Sequence, residues 1–309
     1  MRGGILLDVV LHIRGHITLI ISVIALFFNM LAATCVCVMF YCKKKIKVKQ
    51  DNKSMNKISV VQIANVHNIG KRESQQDSFG VSDISNSSLC NEKGIFAVVA
   101  DGMGGLTAGA EVSAIVTSAM INQFSVASVE ENIPAFLLNI LTYANNEVRK
   151  YLDINGYSKS GSTVVAAIIK DGGLYFVSVG DSRIYLYRGG ALIQLNREHI
   201  YGNELDEKAA RGEIGAEEAR NDPQRNSLTS YIGMDELAQI DRNIRPVALM
   251  SGDRVLLMTD GIFTALSEEE ISSFASLNAY DAAVRLEAAI LYKGKSNQDN
   301  FTSIIIEMG

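Results

Sequence analysis

Three apolar stretches in this chain run directly into an aspartate. Asp101 follows Phe96-Ala97-Val98-Val99-Ala100, Asp181 follows Phe176-Val177-Ser178-Val179-Gly180, and Asp260 follows Val255-Leu256-Leu257-Met258-Thr259. Asp299 stands just ahead of a fourth apolar stretch, and Asp77 closes Arg72-Glu73-Ser74-Gln75-Gln76-Asp77. An aspartate after a strand commonly caps the next segment through its side chain, and for any one position that role suffices. Jointly the acids favour another role, because Asp101-Gly102 and Asp260-Gly261 set a glycine beside the carboxylate, where backbone can approach a ligand closely. Converging carboxylates need cations to offset their repulsion, and oxygen ligands suit hard ions such as Mg2+ or Mn2+.

Other schemes fail on the letters. After the first 57 residues only His67, His199 and Cys90 remain, too few for an imidazole-rich metal pair or a thiolate zinc cluster. His67 reads as a structural group in a strand, and His199 as a solvated group in a polar loop. There is no Gly-x-Ser-x-Gly elbow, no Gly-x-x-x-x-Gly-Lys-Ser/Thr phosphate loop and no EF-hand spacing. A cysteine phosphatase would need Arg six residues after Cys90, where Phe96 stands.

The elements that must position these acids follow from periodicity. Short β-rich runs cover Ile58 to Val66 and Ile95 to Ala100. Val112, Ile115, Val116, Ala119 and Met120 share one helical face, and Leu137, Ile140, Leu141, Ala144 and Val148 repeat it after Pro134. Strands over Thr163 to Ile169, Leu174 to Val179, Arg183 to Tyr187 and Ala191 to Leu195 are joined by Lys170-Asp171-Gly172-Gly173 and Gly189-Gly190 turns. A strand at Arg254 to Thr259, a helix over Tyr280 to Tyr292 and a strand at Phe301 to Glu307 complete the pattern. Tight turns between consecutive strands favour antiparallel sheet, and the amphipathic helices must cover a face of it, giving an α+β layered domain.

The 309 residues, 48% hydrophobic and 20% charged, suit a folded protein and exclude collagen-like or disordered chains. Residues 1–49 hold seven basic side chains and one acid, so the rest, with 22 bases against 33 acids, carries −11 and repels nucleic acid. The 26 residues from Ile17 to Cys42 have no formal charge and are long enough for a transmembrane helix. Five lysines follow the span against two arginines before it, which places the C-terminal side in the cytoplasm. A signal peptide would have a shorter apolar region ending in small residues. The expected organisation is a short segment 1–16, a membrane helix 17–42, a basic linker 43–57 and a domain 58–309, giving a single-pass protein of the cell membrane.

Several ordered motifs resemble the PP2C (PPM) metal-dependent protein phosphatases, over nearly all of 58–309. Arg72-Glu73-Ser74-Gln75-Gln76-Asp77 is similar to the family's Arg-x-x-x-x-Asp opening, and Val99-Ala100-Asp101-Gly102-Met103-Gly104-Gly105 to its central signature. Gly161-Ser162-Thr163, Val179-Gly180-Asp181-Ser182-Arg183, Met258-Thr259-Asp260-Gly261 and Asp299-Asn300-Phe301-Thr302 follow in the family's order. Residues 213–233 resemble the flap of the bacterial branch, the whole flap covering about 196–235. The resemblance implies a four-layer αββα sandwich of two antiparallel sheets flanked by helices.

It also implies that Asp77, Asp101, Asp260 and Asp299, with the Gly102 carbonyl, hold two Mn2+ or Mg2+ ions, and that Asp181 helps bind a third, weaker one with Asp260. Arg72 would bind substrate phosphate while a metal-bridging hydroxide attacks phosphorus. The substrates would be phosphoserine and phosphothreonine in proteins, with a serine/threonine kinase as the opposing partner. The alternative is a membrane-tethered pseudophosphatase that binds phosphoproteins with little turnover. Gln76 stands where many members have Glu, Met103 and Leu106 where many have His, and Arg197-Glu198-His199 where an Asp-His pair is more usual. Without a histidine at Met103, the leaving alkoxide would draw its proton from metal-bound water.

Overall fold

The computed structural model describes residues 59–104, 108–127, 132–157 and 159–309. These belong to the second of two units into which the chain divides between Lys57 and Ile58. The expected membrane helix 17–42, the linker 43–57 and Leu106 lie outside the described residues, and among those described no helix is long and apolar enough to cross a membrane.

In chain order the first half comprises β1 (Val60–Asn68), β2 (Asp77–Val81), α1 (Ser87–Lys93), β3 (Ile95–Met103), α2 (Ala108–Val126), α3 (Ile133–Asn155), β4 (Gly161–Ser162), β5 (Val164–Lys170) and β6 (Gly173–Val179). The second half comprises β7 (Arg183–Arg188), β8 (Ala191–Gln194), α4 (Tyr201–Ala210), α5 (Ala216–Asn221), β9 (Asp241–Arg242), β10 (Val247–Ala248), β11 (Arg254–Met258), α6 (Asp260–Phe263), α7 (Glu268–Ala275), α8 (Ala279–Lys293) and β12 (Phe301–Met308).

The strands form two sheets in which every pairing is antiparallel, as the tight turns require. One runs β1-β12-β11-β7-β8; the other runs β10-β6-β5-β3-β2, with β4 added to β3 and β9 to β6. Phe96 to Ala100 are all fully buried because β3 is covered on both faces. Phe96, Val98 and Ala100 pack with α2 and α3, while Ala97 and Val99 meet Val255, Leu257, Ile304 and Ile306 of the facing sheet. On the far side α7 and α8 cover the first sheet through Ile271, Ala275, Leu286 and Ile290. Full burial of each large aliphatic side chain stabilises the fold by roughly 1.5–3 kcal/mol. The layering is helix, sheet, sheet, helix, as the family resemblance implied.

The two long helices stand where periodicity placed them. Asn132 caps α3 by accepting the Ala135 N–H, Pro134 occupies the first turn, and Gly156 ends the helix in a left-handed conformation. One expectation needs correction. Asp101 does not end its strand, because β3 runs on to Met103: β2 pairs with it as far as Asp77↔Asp101, and β4 takes over at Gly102↔Ser162.

Candidate active site

The two sheets meet at a rim where four of the five acids line one cleft of about 680 Å3, namely Asp101, Asp181, Asp260 and Asp299. Arg72 and Lys71 from the β1–β2 loop, the Gly102 backbone, Met103, and Leu228 from the flap complete its walls. Asp77, 5% exposed, lies beneath. The register sets Asp77 directly opposite Asp101, and directly paired residues project on the same side of a sheet.

Asp77 comes from one sheet and is held by the other. Its Oδ2 accepts hydrogen bonds from the Thr259 hydroxyl (2.8 Å), at the end of β11, and from the Thr302 hydroxyl (2.7 Å) in β12. The two threonines are tied together, since the Thr302 N–H donates to Thr259 Oγ1 at 2.9 Å. With Oδ2 doubly engaged, Asp77 Oδ1 is buried and has no hydrogen-bond partner, and Asp260 Oδ1 is in the same position. A buried carboxylate oxygen left unpaired is costly, so these two atoms mark where a ligand belongs.

The charges agree. Burial is the main cause that lifts the Asp77 carboxyl to about 7, the Thr302 and Thr259 hydroxyls holding it down and Asp260 and Asp299 adding to the rise. Burial likewise lifts Asp181 to about 7 and Asp260 to about 6, and holds Asp101 well above the carboxylate range, helped by repulsion from Asp77 and Asp260. Repulsion from Asp260 is among the causes that raise Asp101, and a bound cation would favour the ionised form of both. Among the described residues no three His, Cys, Asp or Glu side chains form a ready-made metal cage. A Mg2+-like ion does not need one, because it keeps several waters and binds through one or two carboxylates. The donor set, oxygen throughout and partly unpaired, fits such ions.

Arg72 forms an ion pair with Asp299 (2.5 Å), its side chain 57% exposed at the cleft mouth. The loop that carries it is pinned by Asn300, a residue whose role the sequence did not disclose. Asn300 Nδ2 donates to the Ile69 and Ser74 carbonyls (2.8 and 3.1 Å), and its Oδ1 accepts the Gln76 N–H at 2.8 Å. Its advance signal was its place in the Asp299-Asn300-Phe301-Thr302 motif, without a role of its own.

The glycines next to the acids also serve close packing between backbones, while the Gly102 backbone lines the cleft. A Cβ on Gly102 would lie 2.0 Å from the Gly109 carbonyl oxygen at the start of α2, and one on Gly261 would lie 2.0 Å from that of Asn300. Gly102→Ala is therefore expected to push β3 off α2, costing about 1–3 kcal/mol by overpacking and displacing Asp101. Thermal unfolding beside turnover checks it, and an alanine variant equal to wild type in both would refute it.

His199 is also corrected. It is 5% exposed rather than solvated, because its Nδ1 accepts the Gly180 N–H (3.1 Å) and its own N–H donates to the Gly180 carbonyl (2.8 Å). Burial keeps its pKa below the usual histidine value, consistent with a neutral acceptor. The neighbouring Glu198 pairs with Arg183 (2.9 Å), whose guanidinium stacks on Phe263 at 3.9 Å. The turn bearing Asp181 is thus clamped to the root of the flap. The flap carries α4 and α5, bridged by Arg225, which pairs with Asp206 of α4 and donates to the Ala219 carbonyl of α5, and it returns to the body at the Ser162↔Ile232 bridge.

Comparisons with known proteins agree with this geometry. Residues 66–302 match the family described as Protein phosphatase 2C. The chain is 31% identical over 220 residues to the serine/threonine phosphatase stp of Listeria monocytogenes, a match spanning 68% of this chain and 83% of that protein. The PPM Ser-Thr phosphatase MsPP from Mycobacterium smegmatis, solved in complex with cacodylate, is 30% identical with a TM-score of 0.64, covering 81% of this chain and 100% of that one. The catalytic domain of the phosphatase PstP, solved in complex with two manganese ions, shares the fold at 24% identity and a TM-score of 0.62, covering 81% of this chain and 98% of that one.

Proposed function

The chain belongs to the protein phosphatase 2C family and is a protein-serine/threonine phosphatase, and we propose that it hydrolyses phosphoserine and phosphothreonine in proteins with Mn2+ or Mg2+, anchored in a membrane. The observation that carries the catalytic reading is the pair of buried, unpaired oxygens, Asp77 Oδ1 and Asp260 Oδ1, in a carboxylate cluster beside an arginine.

Asp77, Asp101, Asp260 and Asp299 with the Gly102 carbonyl would hold two ions, and Asp181 with Asp260 a third, weaker one. When bound, such ions supply a water of lowered pKa as nucleophile and neutralise charge on the phosphoryl oxygens. Arg72 binds and orients the phosphate. Its guanidinium has five donors, and the bond to Asp299 leaves most of them for phosphate oxygens. Asp299 in turn holds the arginine at the mouth, which lowers the entropy lost when the fork closes on an anion. Met103 on the cleft wall has no proton to give the leaving oxygen.

Anchoring rests on the charge-free run Ile17 to Cys42 and the lysines after it, which favour a catalytic domain on the cytoplasmic side. There it would oppose a serine/threonine kinase, and confinement to the membrane would raise its effective concentration toward membrane-bound phosphoproteins. The test is phosphate release from a phosphothreonine peptide by the full-length chain with Mn2+, with Mg2+ and with EDTA. Release with metal and none with EDTA is expected. A folded protein inert in all three would leave binding without turnover in its place.

A further inference from the structure

We propose that His67 is a positioning residue for Asp77, acting through the Thr302 hydroxyl, an inference that rests on the reading of Asp77 as a metal-holding carboxylate. His67 lies in β1 directly across from Thr302 in β12, and its Nδ1 is 3.0 Å from Thr302 Oγ1. That hydroxyl has one proton. With Asp77 ionised, as a cation requires, Oδ2 can only accept, so the Thr302 proton points to Asp77 along the 2.7 Å bond. His67 must then bring its own proton, which fixes Nδ1 as a donor.

The result is a directed chain, Nδ1–H to Oγ1–H to Oδ2, in which each bond polarises the next. It stops the Thr302 hydroxyl from rotating away and holds the plane of the Asp77 carboxylate, leaving Oδ1 as the free oxygen. The histidine is itself held: its ring lies against Phe79, with centroids 5.2 Å apart and planes tilted by 57°. Phe79 sits two residues beyond Asp77 on β2. Partners of this kind behind a metal ligand typically change metal affinity by about 10–100-fold, and a group one step further out belongs at the low end.

Two variants of the full-length chain separate the hydrogen bond from the packing. His67→Phe keeps a ring against Phe79 and removes the donor; His67→Asn loses the ring but sets an amide N–H near the Nδ1 position. Mn2+ binding to metal-free protein is measured by calorimetry, with thermal unfolding of the metal-free form and the KM for a phosphothreonine peptide alongside. His67→Phe is expected to weaken Mn2+ binding about tenfold. His67→Asn should stay within about threefold of wild type, with metal-free stability and peptide KM unchanged for the phenylalanine variant. Wild-type affinity in His67→Phe, or an equal loss in both variants, would overturn the proposal. If the wild-type chain itself takes up no Mn2+, the metal reading of Asp77 fails and this inference falls with it, an outcome distinct from the other two.

Discussion

Asp260→Asn is expected to lower kcat by about a thousandfold or more at saturating Mn2+ while leaving a folded protein. Charge stabilisation by bound metal is worth several kcal/mol in a transition state, and each 1.36 kcal/mol is a factor of ten in rate. Asp260 is the point where that loss concentrates. It opens α6 directly behind β11, keeps one buried oxygen without a partner, and repels the Asp101 carboxylate. On the proposed reading it also serves both the principal pair of ions and the third. Asparagine has nearly the same shape, so the packing of Gly261 against Asn300 should survive. What changes is charge: an amide replaces half of the ligand pair on the cleft floor. Arg72 is untouched, so KM for a phosphopeptide should move far less than kcat. Steady-state kinetics beside a melting curve decide the matter; a folded variant within tenfold of wild-type kcat would remove Asp260 from the site.

The parts of this site that were legible in sequence share a cause. Asp101, Asp181, Asp260 and Asp299 could be found because they adjoin apolar runs whose burial is unmistakable, and a buried strand of known direction delivers its end to the rim of the sheet. The helices were legible for the same reason, as Leu137, Ile140, Leu141, Ala144 and Val148 are buried on the one face that their spacing defines. Groups whose role comes from a distant partner were not. Thr259 and Thr302 stood in the motifs around Asp260 and Asp299 without a role of their own, and only sheet pairing shows that both hydroxyls converge on Asp77, more than 180 positions away in chain order. His199 sits among polar neighbours in sequence yet is buried by the turn that carries Asp181. The two-residue strands β4, β9 and β10 are too short to show any period.

Removing the metal should make the protein's stability fall as pH rises from about 5.5 to 8, with Tm dropping on the order of ten degrees. The sign follows from proton uptake. Unfolded aspartates titrate near 3.9, whereas burial lifts the folded values to about 7 for Asp77 and Asp181 and about 6 for Asp260. Between those limits the folded state holds more protons than the unfolded state, so raising the pH favours unfolding; this contribution is fully present below about 4 and is lost through about 7. A carboxyl that is a tenfold weaker acid when folded contributes about 1.36 kcal/mol, but these groups repel one another and their contributions do not add. A net loss of about 3 kcal/mol is a reasonable scale, and for a domain of this size each 1 kcal/mol moves Tm by about 2–4 °C. Bound Mn2+ substitutes for the protons, so it should raise Tm strongly at pH 8 and little at pH 5.5. Asp77→Asn sharpens the test. Its amide oxygen can still accept both threonine hydroxyls, so the variant should melt higher than metal-free wild type at pH 8 yet gain less from Mn2+. A metal-free wild type whose Tm is flat or rising over this window would show that the carboxylates do not repel one another as their burial requires.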